Sequence, residues 1–172
     1  MTLDQFNRLS PEACAQALQN CCVSTRWIEG MLANRPFDSY EALQTTAEEV
    51  WRALSMPDYL EAFEGHPQIG DLDSLKAKYA NTKQLAAGEQ SGANDASNGV
   101  LEALAAGNAE YERRFGFIFI VCATGKSAEE MLGLLNERLD NDLISELAVA
   151  AGEQAKITRL RLEKLFNEER SE

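Results

Sequence analysis

The chain has 172 residues, 45% of them apolar and 26% charged, the composition of a soluble globular protein long enough to bury one core. Its net charge of −12 argues against a nucleic-acid binder, which needs a basic surface to displace counterions, and against docking on an anionic membrane. No apolar run approaches the roughly 20 residues of a membrane span, and the first residues lack the basic start and apolar stretch of a secretory signal.

Helix-start signals divide the first part of the chain. Thr2 to Gln5 has the form of a capping box, and Ser10-Pro11 combines an N-cap serine with proline at the first helical position. Further helices are predicted over Ser24–Ala33, from Asp38 or Ser39 to about Leu54, and from Asp58 or Tyr59 to Gly65. In the fourth of these helices, Tyr40, Leu43, Ala47, Val50 and Leu54 form the predicted buried stripe.

The second part of the chain is also predicted to be mostly helical. Spacing predicts helices over Asp71–Tyr79, Glu89–Ala106 and Asn108–Phe115. Ser127 opens a full capping box for a helix to about Leu139, and Asn141 or Asp142 caps a last helix to about Phe166. The predicted apolar stripe of that last helix comprises Leu143, Leu147, Ala150, Ala151, Ile157, Leu160, Leu162 and Leu165.

One apolar run does not fit this helical pattern. The residues from Gly116 to Cys122 have strand propensity, but no second run could pair with them, and a single strand cannot form a sheet. We therefore expect a buried extended segment or distorted helix near 116–122, whose backbone polar groups must find partners, a bound ligand among the candidates. The predicted fold is all-α: one domain over 1–172, a helical bundle of about eight or nine helices.

The cysteines predict the redox state of the chain. Cys14, Cys21, Cys22 and Cys122 form no C-x-x-C pair, and neighbouring cysteines are an awkward arrangement for a structural disulfide. The pattern predicts reduced, mostly buried thiols in a cytoplasmic protein. With a single histidine and no ligand spacing, no metal site is expected.

That histidine, His66, stands in the sequence Gly65-His66-Pro67-Gln68-Ile69-Gly70. Proline disfavours helical geometry at the residue before it, and the glycines at 65 and 70 permit backbone angles that other residues resist. A rigid turn carrying a group that titrates near neutral pH suits an acid or base, although a solvent-exposed turn histidine is the simpler interpretation.

Charged candidates could partner this imidazole. Glu89 is either a glutamate stabilised at a helix N-terminus or a carboxylate aimed into a site. Arg161, between two leucines, either covers the core with its stem or binds a substrate carboxylate with its guanidinium fork. Arg159 and Arg138 are rivals for that anchor.

Several motifs together resemble one family more specifically than any single motif does. The resemblance is to the OHCU decarboxylases of purine catabolism, which act on 2-oxo-4-hydroxy-4-carboxy-5-ureidoimidazoline (OHCU), and it covers essentially the whole chain. In order, the motifs are Arg26-Trp27, Arg35-Pro36-Phe37, His66-Pro67 with Gly70, Glu89-Gln90, Arg114-Phe115-Gly116-Phe117 with Phe119 and Cys122-Ala123, Arg138-Leu139 with Asn141, Glu146-Leu147, and Lys156-Ile157 with Leu160-Arg161-Leu162.

The resemblance implies an all-helical, cofactor-free decarboxylase that makes (S)-allantoin at the last step of the urate-to-allantoin pathway, and it suggests a homodimer. It makes His66 the catalytic acid/base, with Glu89 and Arg161 as further catalytic residues. Family members often have serine where this chain has Ala86, so a hydroxyl hydrogen bond is missing here or replaced by water. The implied substrate-binding residues are Pro67, Ala86, Ala87, Gly88, Glu89, Gln90, Phe119, Ile120, Val121, Cys122, Ala123 and Arg161.

Two alternatives stand beside this interpretation. A non-enzymatic helical interaction module would predict no pocket joining His66, Glu89 and Arg161. Hydrolysis of a related ureido compound is the enzymatic alternative, and the lack of metal ligands or of an evident nucleophile argues against it.

Overall fold

The structure is a computed structural model that describes residues 1–66, 73, 75 and 93–167, with side chains from 99 onward in the last range. All regular secondary structure among the described residues is helical, with no strand, as the sequence predicts. None of the helices in these ranges is both long and apolar enough to span a bilayer. The helices are α1 (Leu3–Arg8), α2 (Pro11–Gln19), α3 (Thr25–Ala33), α4 (Tyr40–Arg52), α5 (Met56–Glu64), α6 (Ala93–Phe115), α7 (Ala128–Leu139) and α8 (Leu143–Asn167).

Local capping chemistry sets most helix starts. α5 begins earlier than predicted, at Met56, because the Asp58 carboxylate accepts hydrogen bonds from the backbone N–H and the hydroxyl of Ser55, at 3.1 and 3.0 Å. α8 follows Asp142, whose carboxylate accepts from the backbone N–H of Ser145 at 2.7 Å. Thr2, Ser10, Ser39 and Ser127 also bond the first turns of their helices as predicted, and Ser24, expected as the first residue of its helix, caps it instead.

The prediction of two helices over 89–106 and 108–115 is wrong for the described residues, since α6 runs unbroken from Ala93 to Phe115. Gly107 lies inside it and serves close packing. A Cβ there would lie 2.5 Å from Cδ2 of Leu135 in α7. The close approach of α6 and α7 therefore depends on the absence of a side chain at Gly107.

Contacts divide the chain into two compact units, 1–66 with 151–172, and 67–150. The single domain over 1–172 stays a prediction. In the first unit, the indole N–H groups of Trp27 and Trp51 donate to the carbonyls of Ala47 and Ala151, at 3.1 and 2.9 Å. Those bonds satisfy the polar atoms of two large core side chains. Other fully buried residues of this core are Phe6, Leu18, Met31, Leu43 and Leu162.

The second unit contains α6, α7, the segment between them and the start of α8. The segment from Gly116 to Cys122 forms neither helix nor strand, and Gly116 adopts a left-handed φ of 82° as the chain leaves α6. Phe117, Ile120 and Cys122 are buried, as expected of an apolar segment that packs without a strand partner.

The predicted stripe of α8 is wrong at two leucines, since Leu143 and Leu160 are 46% and 39% exposed. The buried positions recur every four residues and include three polar side chains. Leucine spacing alone misplaces this face, because a polar side chain is buried wherever it finds hydrogen-bond partners. The buried series is Glu146, Ala150, Gln154, Thr158, Leu162 and Phe166.

Candidate active site

His66 lies two residues beyond α5, and its backbone N–H donates to the carbonyl of Phe63 at 3.2 Å. The glycine before it was expected to supply unusual backbone angles, but Gly65 has φ −72°, which any residue adopts. Its small size matters instead, since a Cβ there would lie 2.8 Å from Cβ of Val23. The end of α5, which packs closely against Val23, therefore positions the imidazole.

The imidazole of His66 is bonded to the last helix. Its Nε2 forms a short hydrogen bond with Oε1 of Gln154. The amide Nε2 of Gln154 donates to the hydroxyl of Thr158, one turn further along α8, at 3.0 Å. Gln154 is only 1% exposed, so neither end of its amide can turn to solvent.

Thr158 extends this chain of hydrogen bonds to the turn after α2. Hydrogen bonding from the Ser24 backbone N–H and from the Thr158 side chain lowers the pKa of Cys22, although burial raises it more. Cys22 is fully buried, and Thr158 is 6% exposed. We call His66, Gln154, Thr158 and Cys22 the imidazole chain.

Arg161 supplies positive charge beside the imidazole chain. Its Nη1 donates to the backbone carbonyl of Cys21 at 3.4 Å, and the side chain is partly buried. Within the described part of the chain, no carboxylate forms a salt bridge with this guanidinium. It is thus a cation held at the site by a backbone carbonyl.

The surroundings favour the neutral form of the imidazole. Burial is the largest cause that lowers the pKa of His66 below its ordinary value, the bond to Gln154 opposes it, and the charge of Arg161 lowers it further. At neutral pH the ring therefore carries a lone pair and can accept a proton.

The neighbouring cysteines are poor nucleophiles. Burial raises the pKa of Cys21 to about 12 and that of Cys22 to about 11, against the lowering effect of Arg161. All four cysteines, Cys14 and Cys122 included, are buried and free of disulfides, as predicted. Thiols with such pKa values stay protonated at neutral pH, so thiolate attack from Cys21 or Cys22 is disfavoured.

The two rival arginines, Arg159 and Arg138, form salt bridges with other residues. The side chain of Arg159 is 58% exposed and pairs with Glu48 at 3.4 Å and Glu163 at 3.8 Å. Arg138 is buried in the second unit, where Nε donates to Glu146 at 2.6 Å and Nη1 to the carbonyl of Ile120 at 2.5 Å. Of the three candidates, Arg161 is the one whose positive charge lowers the pKa of His66.

The predicted substrate-binding segment Phe119–Ala123 lies in the second unit. Two of its carbonyls have side-chain partners: Arg138 donates to Ile120, and Lys126 donates to Cys122 at 2.7 Å. The Phe119 ring lies 4.6 Å from the guanidinium of Arg138. The carbonyls of Ile120 and Cys122 therefore need no ligand to satisfy them.

Six predicted site residues lie outside the described residues: Pro67, Ala86, Ala87, Gly88, Glu89 and Gln90. Their role stays a prediction. No group of three histidine, cysteine, aspartate or glutamate side chains suited to a metal occurs among the residues with described positions.

Sequence reasoning missed Gln154 and Thr158. A buried glutamine and threonine one turn apart look like ordinary helix residues until the structure sets His66 beside them. The available signal was the four-residue period that links them to Leu162 and Phe166.

The comparisons with known proteins concern nearly the whole chain. A family profile described as OHCU decarboxylase matches residues 7–163. A uric acid degradation bifunctional protein of Arabidopsis thaliana is 40% identical over 86% of this chain and 46% of its own length. One from Bacillus sp. is 27% identical over 98% of this chain and 33% of its own length. The chain thus spans less than half of these two relatives.

Two further comparisons cover both partners almost completely. A 2-oxo-4-hydroxy-4-carboxy-5-ureidoimidazoline decarboxylase of Amia calva is 28% identical over 96% of this chain and 95% of its own. A crystal structure of OHCU decarboxylase in the presence of (S)-allantoin is similar with a TM-score of 0.70 and 38% identity, over 92% of this chain and 99% of that one. Because the profile match extends over most of its length, this chain belongs to the OHCU decarboxylase family.

Proposed function

We propose that this protein decarboxylates OHCU to (S)-allantoin, the last step from urate to allantoin, with His66 as the acid/base. Family membership supports the reaction. The observation that carries the assignment of His66 is its partly buried imidazole, bonded to Gln154, kept neutral by burial and influenced by the charge of Arg161. A neutral imidazole beside a cation suits a reaction that moves protons on an anionic substrate.

The substrate carries its own electron sink. The carbon that loses CO2 bears a hydroxyl and a carboxylate, and the adjacent ring C=N accepts the electron pair of the broken C–C bond while its nitrogen takes a proton. The resulting enol loses its hydroxyl proton, and the neighbouring carbon gains one, which sets the S configuration. The protein therefore has to hold the carboxylate out of the ring plane, move protons and select a face.

His66 would accept and return such a proton, since burial favours the neutral ring with its lone pair. Arg161 would bind the substrate carboxylate, which arginine contacts in bidentate fashion. Glu89 and Gln90 would hydrogen-bond the substrate, with Pro67 and the stretch from 86 to 88 beside them. The remaining contacts would come from Phe119, Ile120, Val121, Cys122 and Ala123.

Three narrower points belong to the same proposal. The reaction needs no cofactor because the ring C=N performs the electron-sink role that a cofactor would otherwise supply. The protein acts in the cytoplasm, in keeping with its four buried free thiols. It is a homodimer, which light scattering of the purified chain would test.

The direct test follows allantoin formation by circular dichroism after OHCU is generated from urate in the cuvette. The protein should speed the appearance of the (S)-allantoin signal well beyond the spontaneous decay. If the rate and the enantiomeric excess equal those of buffer alone, the proposed function is wrong. Dialysis against a strong chelator should leave the rate unchanged; a loss that zinc or manganese restores would contradict the cofactor-free mechanism.

A further inference from the structure

The imidazole chain has a direction that follows from its donors and acceptors. Gln154 is buried, its Oε1 faces His66, and its Nε2 faces the Thr158 hydroxyl at 3.0 Å. An amide oxygen only accepts and an amide nitrogen only donates. In this orientation the ring nitrogen opposite Gln154, Nε2 of His66, must carry a hydrogen.

The far end of the chain favours the same amide orientation. Hydrogen bonding from the Ser24 N–H and from the Thr158 side chain lowers the pKa of Cys22, which indicates that the Thr158 hydroxyl faces the Cys22 sulfur. A hydroxyl has one proton, so a Thr158 that donates to Cys22 can only accept from Gln154. The reverse orientation would need the Cys22 thiol, a weak donor, to supply the proton instead.

We propose that Gln154 is a positioning residue that fixes the neutral His66 ring as its Nε2–H tautomer and leaves Nδ1 as the atom that exchanges protons with the substrate. The catalytic meaning of this assignment rests on the proposed function, whereas the tautomer itself does not. Thr158 and Cys22 hold the amide in the required orientation.

The amide of Gln154 orients the imidazole of His66 without adding a charge beside it. A carboxylate beside an imidazole stabilises the imidazolium, which is a donor and no longer a base. Glutamine orients the ring with a neutral acceptor, so His66 keeps its lone pair at neutral pH. The buried setting of Gln154 also shelters the Nε2 proton from exchange with water.

The single histidine of the chain makes the tautomer directly measurable. Protein grown with ¹⁵N-histidine gives one pair of ring nitrogens, and long-range ¹H–¹⁵N correlations through the ring protons assign each one. Above the pKa of His66, we expect a pyrrole-type Nε2 with an observable attached proton and a pyridine-type Nδ1. A pyrrole-type Nδ1 in the wild-type protein would overturn the proposal.

Gln154→Leu tests whether the amide causes this state. The two nitrogen signals should move toward the averaged values of free imidazole, the Nε2 proton should disappear by exchange, and kcat should fall roughly tenfold with KM little changed. Unchanged nitrogen signals in a folded Gln154→Leu protein would overturn the proposal.

Gln44→Leu is the matched control. Gln44 is another buried glutamine of the first unit, bonded to the Tyr40 hydroxyl at 2.8 Å and the Arg159 carbonyl at 3.2 Å. Its replacement should leave the His66 spectrum and kcat unchanged. If it shifts the ring nitrogens as much as Gln154→Leu does, the effect belongs to packing, and the proposal fails.

Gln154→Glu keeps an acceptor oxygen and supplies the conservative rescue. It should retain the Nε2 proton while raising the pH at which the ring titrates. Loss of the Nε2 proton in this variant would contradict the proposal. Because the spectrum reports the ring alone, an unimpaired His66→Asn enzyme would refute the acid–base role without altering the tautomer result.

Discussion

Each unit contains a buried polar network, and the two differ in how charge is compensated. In the second unit, the guanidinium of Arg138 meets the carboxylate of Glu146, which also accepts from the Tyr111 hydroxyl and from Nδ2 of Asn141 at 2.9 Å. In the first unit, the imidazole chain is neutral, and the cation beside it, Arg161, is bonded to a carbonyl.

The difference supports a structural role for the Arg138–Glu146 network and the proposed chemical role of the imidazole chain. The Arg138–Glu146 pair is buried, with side chains 8% and 0% exposed. Burial is also the largest cause that raises the pKa of Tyr111, which keeps its phenol neutral. Among the described residues, the guanidinium of Arg138, the carboxylate of Glu146 and the phenol of Tyr111 bond one another, so these three groups have partners without a ligand. The imidazole chain ends on a half-buried ring with a lone pair, near positive charge that an anion could compensate.

Breaking the Arg138–Glu146 network should give the largest change in stability. Glu146→Ala leaves the buried Arg138 charge without its partner, which costs about 3–5 kcal/mol of unfolding free energy. Urea denaturation measures this loss. The control is Glu110→Ala, which removes an exposed carboxylate paired with Arg113 in the same unit and should change stability little. Equal effects of the two substitutions would show that burial of the pair does not matter.

Arg161, the cation beside the imidazole chain, should affect turnover more than stability. Arg161→Ala should lower kcat/KM by about 1.5–3 kcal/mol of transition-state binding, or roughly tenfold to a few hundredfold, for a lost charged hydrogen bond. Arg161→Lys should lie between this variant and the wild type, since it keeps the charge and loses the bidentate fork.

Arg159→Ala is the matched control for Arg161→Ala, because it removes one positive charge from the same helix at an exposed position. It should leave kcat/KM near the wild-type value. If Arg159→Ala is the crippling change and Arg161→Ala is nearly neutral, the substrate lies against a different face of the helix.

The smallest expected effects are shifts in the titration of His66. Arg161→Gln should raise the pKa of His66 by removing a neighbouring cation, and Gln154→Leu should lower it by removing a bond that favours the imidazolium. The NMR titration of the single imidazole measures both. Shifts in the same direction would contradict the assigned causes.

The lowered pKa of His66 also predicts how stability depends on pH. The folded protein holds this proton less tightly than the unfolded chain, whose histidine titrates near ~6.5. The neutral ring therefore contributes stability that is present above that pH and is lost as the pH falls toward the folded pKa. Urea midpoints of the wild type and His66→Asn should diverge across this window, and parallel curves would contradict the sign.

Local signals explain what the sequence could predict. The serine and threonine caps of α1, α2, α4 and α7 were recognisable because a cap acts within one turn of its own helix. The neighbours of His66 were not recognisable. A glutamine 88 residues away carries no sequence mark of its partner, and leucine spacing pointed to Leu160 in place of Thr158.

The choice of Arg161 illustrates the same limit. It was chosen because leucines flank it, yet Leu160 is exposed and only Leu162 is buried. What distinguishes Arg161 from Arg159 is its approach to Cys21 and His66, which depends on how α2, α5 and α8 pack. Gly65, before His66, was likewise predicted to supply unusual backbone angles. What the structure requires of it is a small size, because Val23 leaves no room for a Cβ there.

The central claim is that the neutral imidazole of His66 moves the protons of the reaction, and its most direct test is the turnover of His66→Asn on freshly generated OHCU. Positioned acid–base catalysis contributes about 10²–10⁴-fold, so kcat/KM for (S)-allantoin formation should fall by that factor while the far-ultraviolet circular dichroism stays that of the wild type. A folded His66→Asn protein that retains near wild-type kcat/KM and enantiomeric excess would contradict the claim.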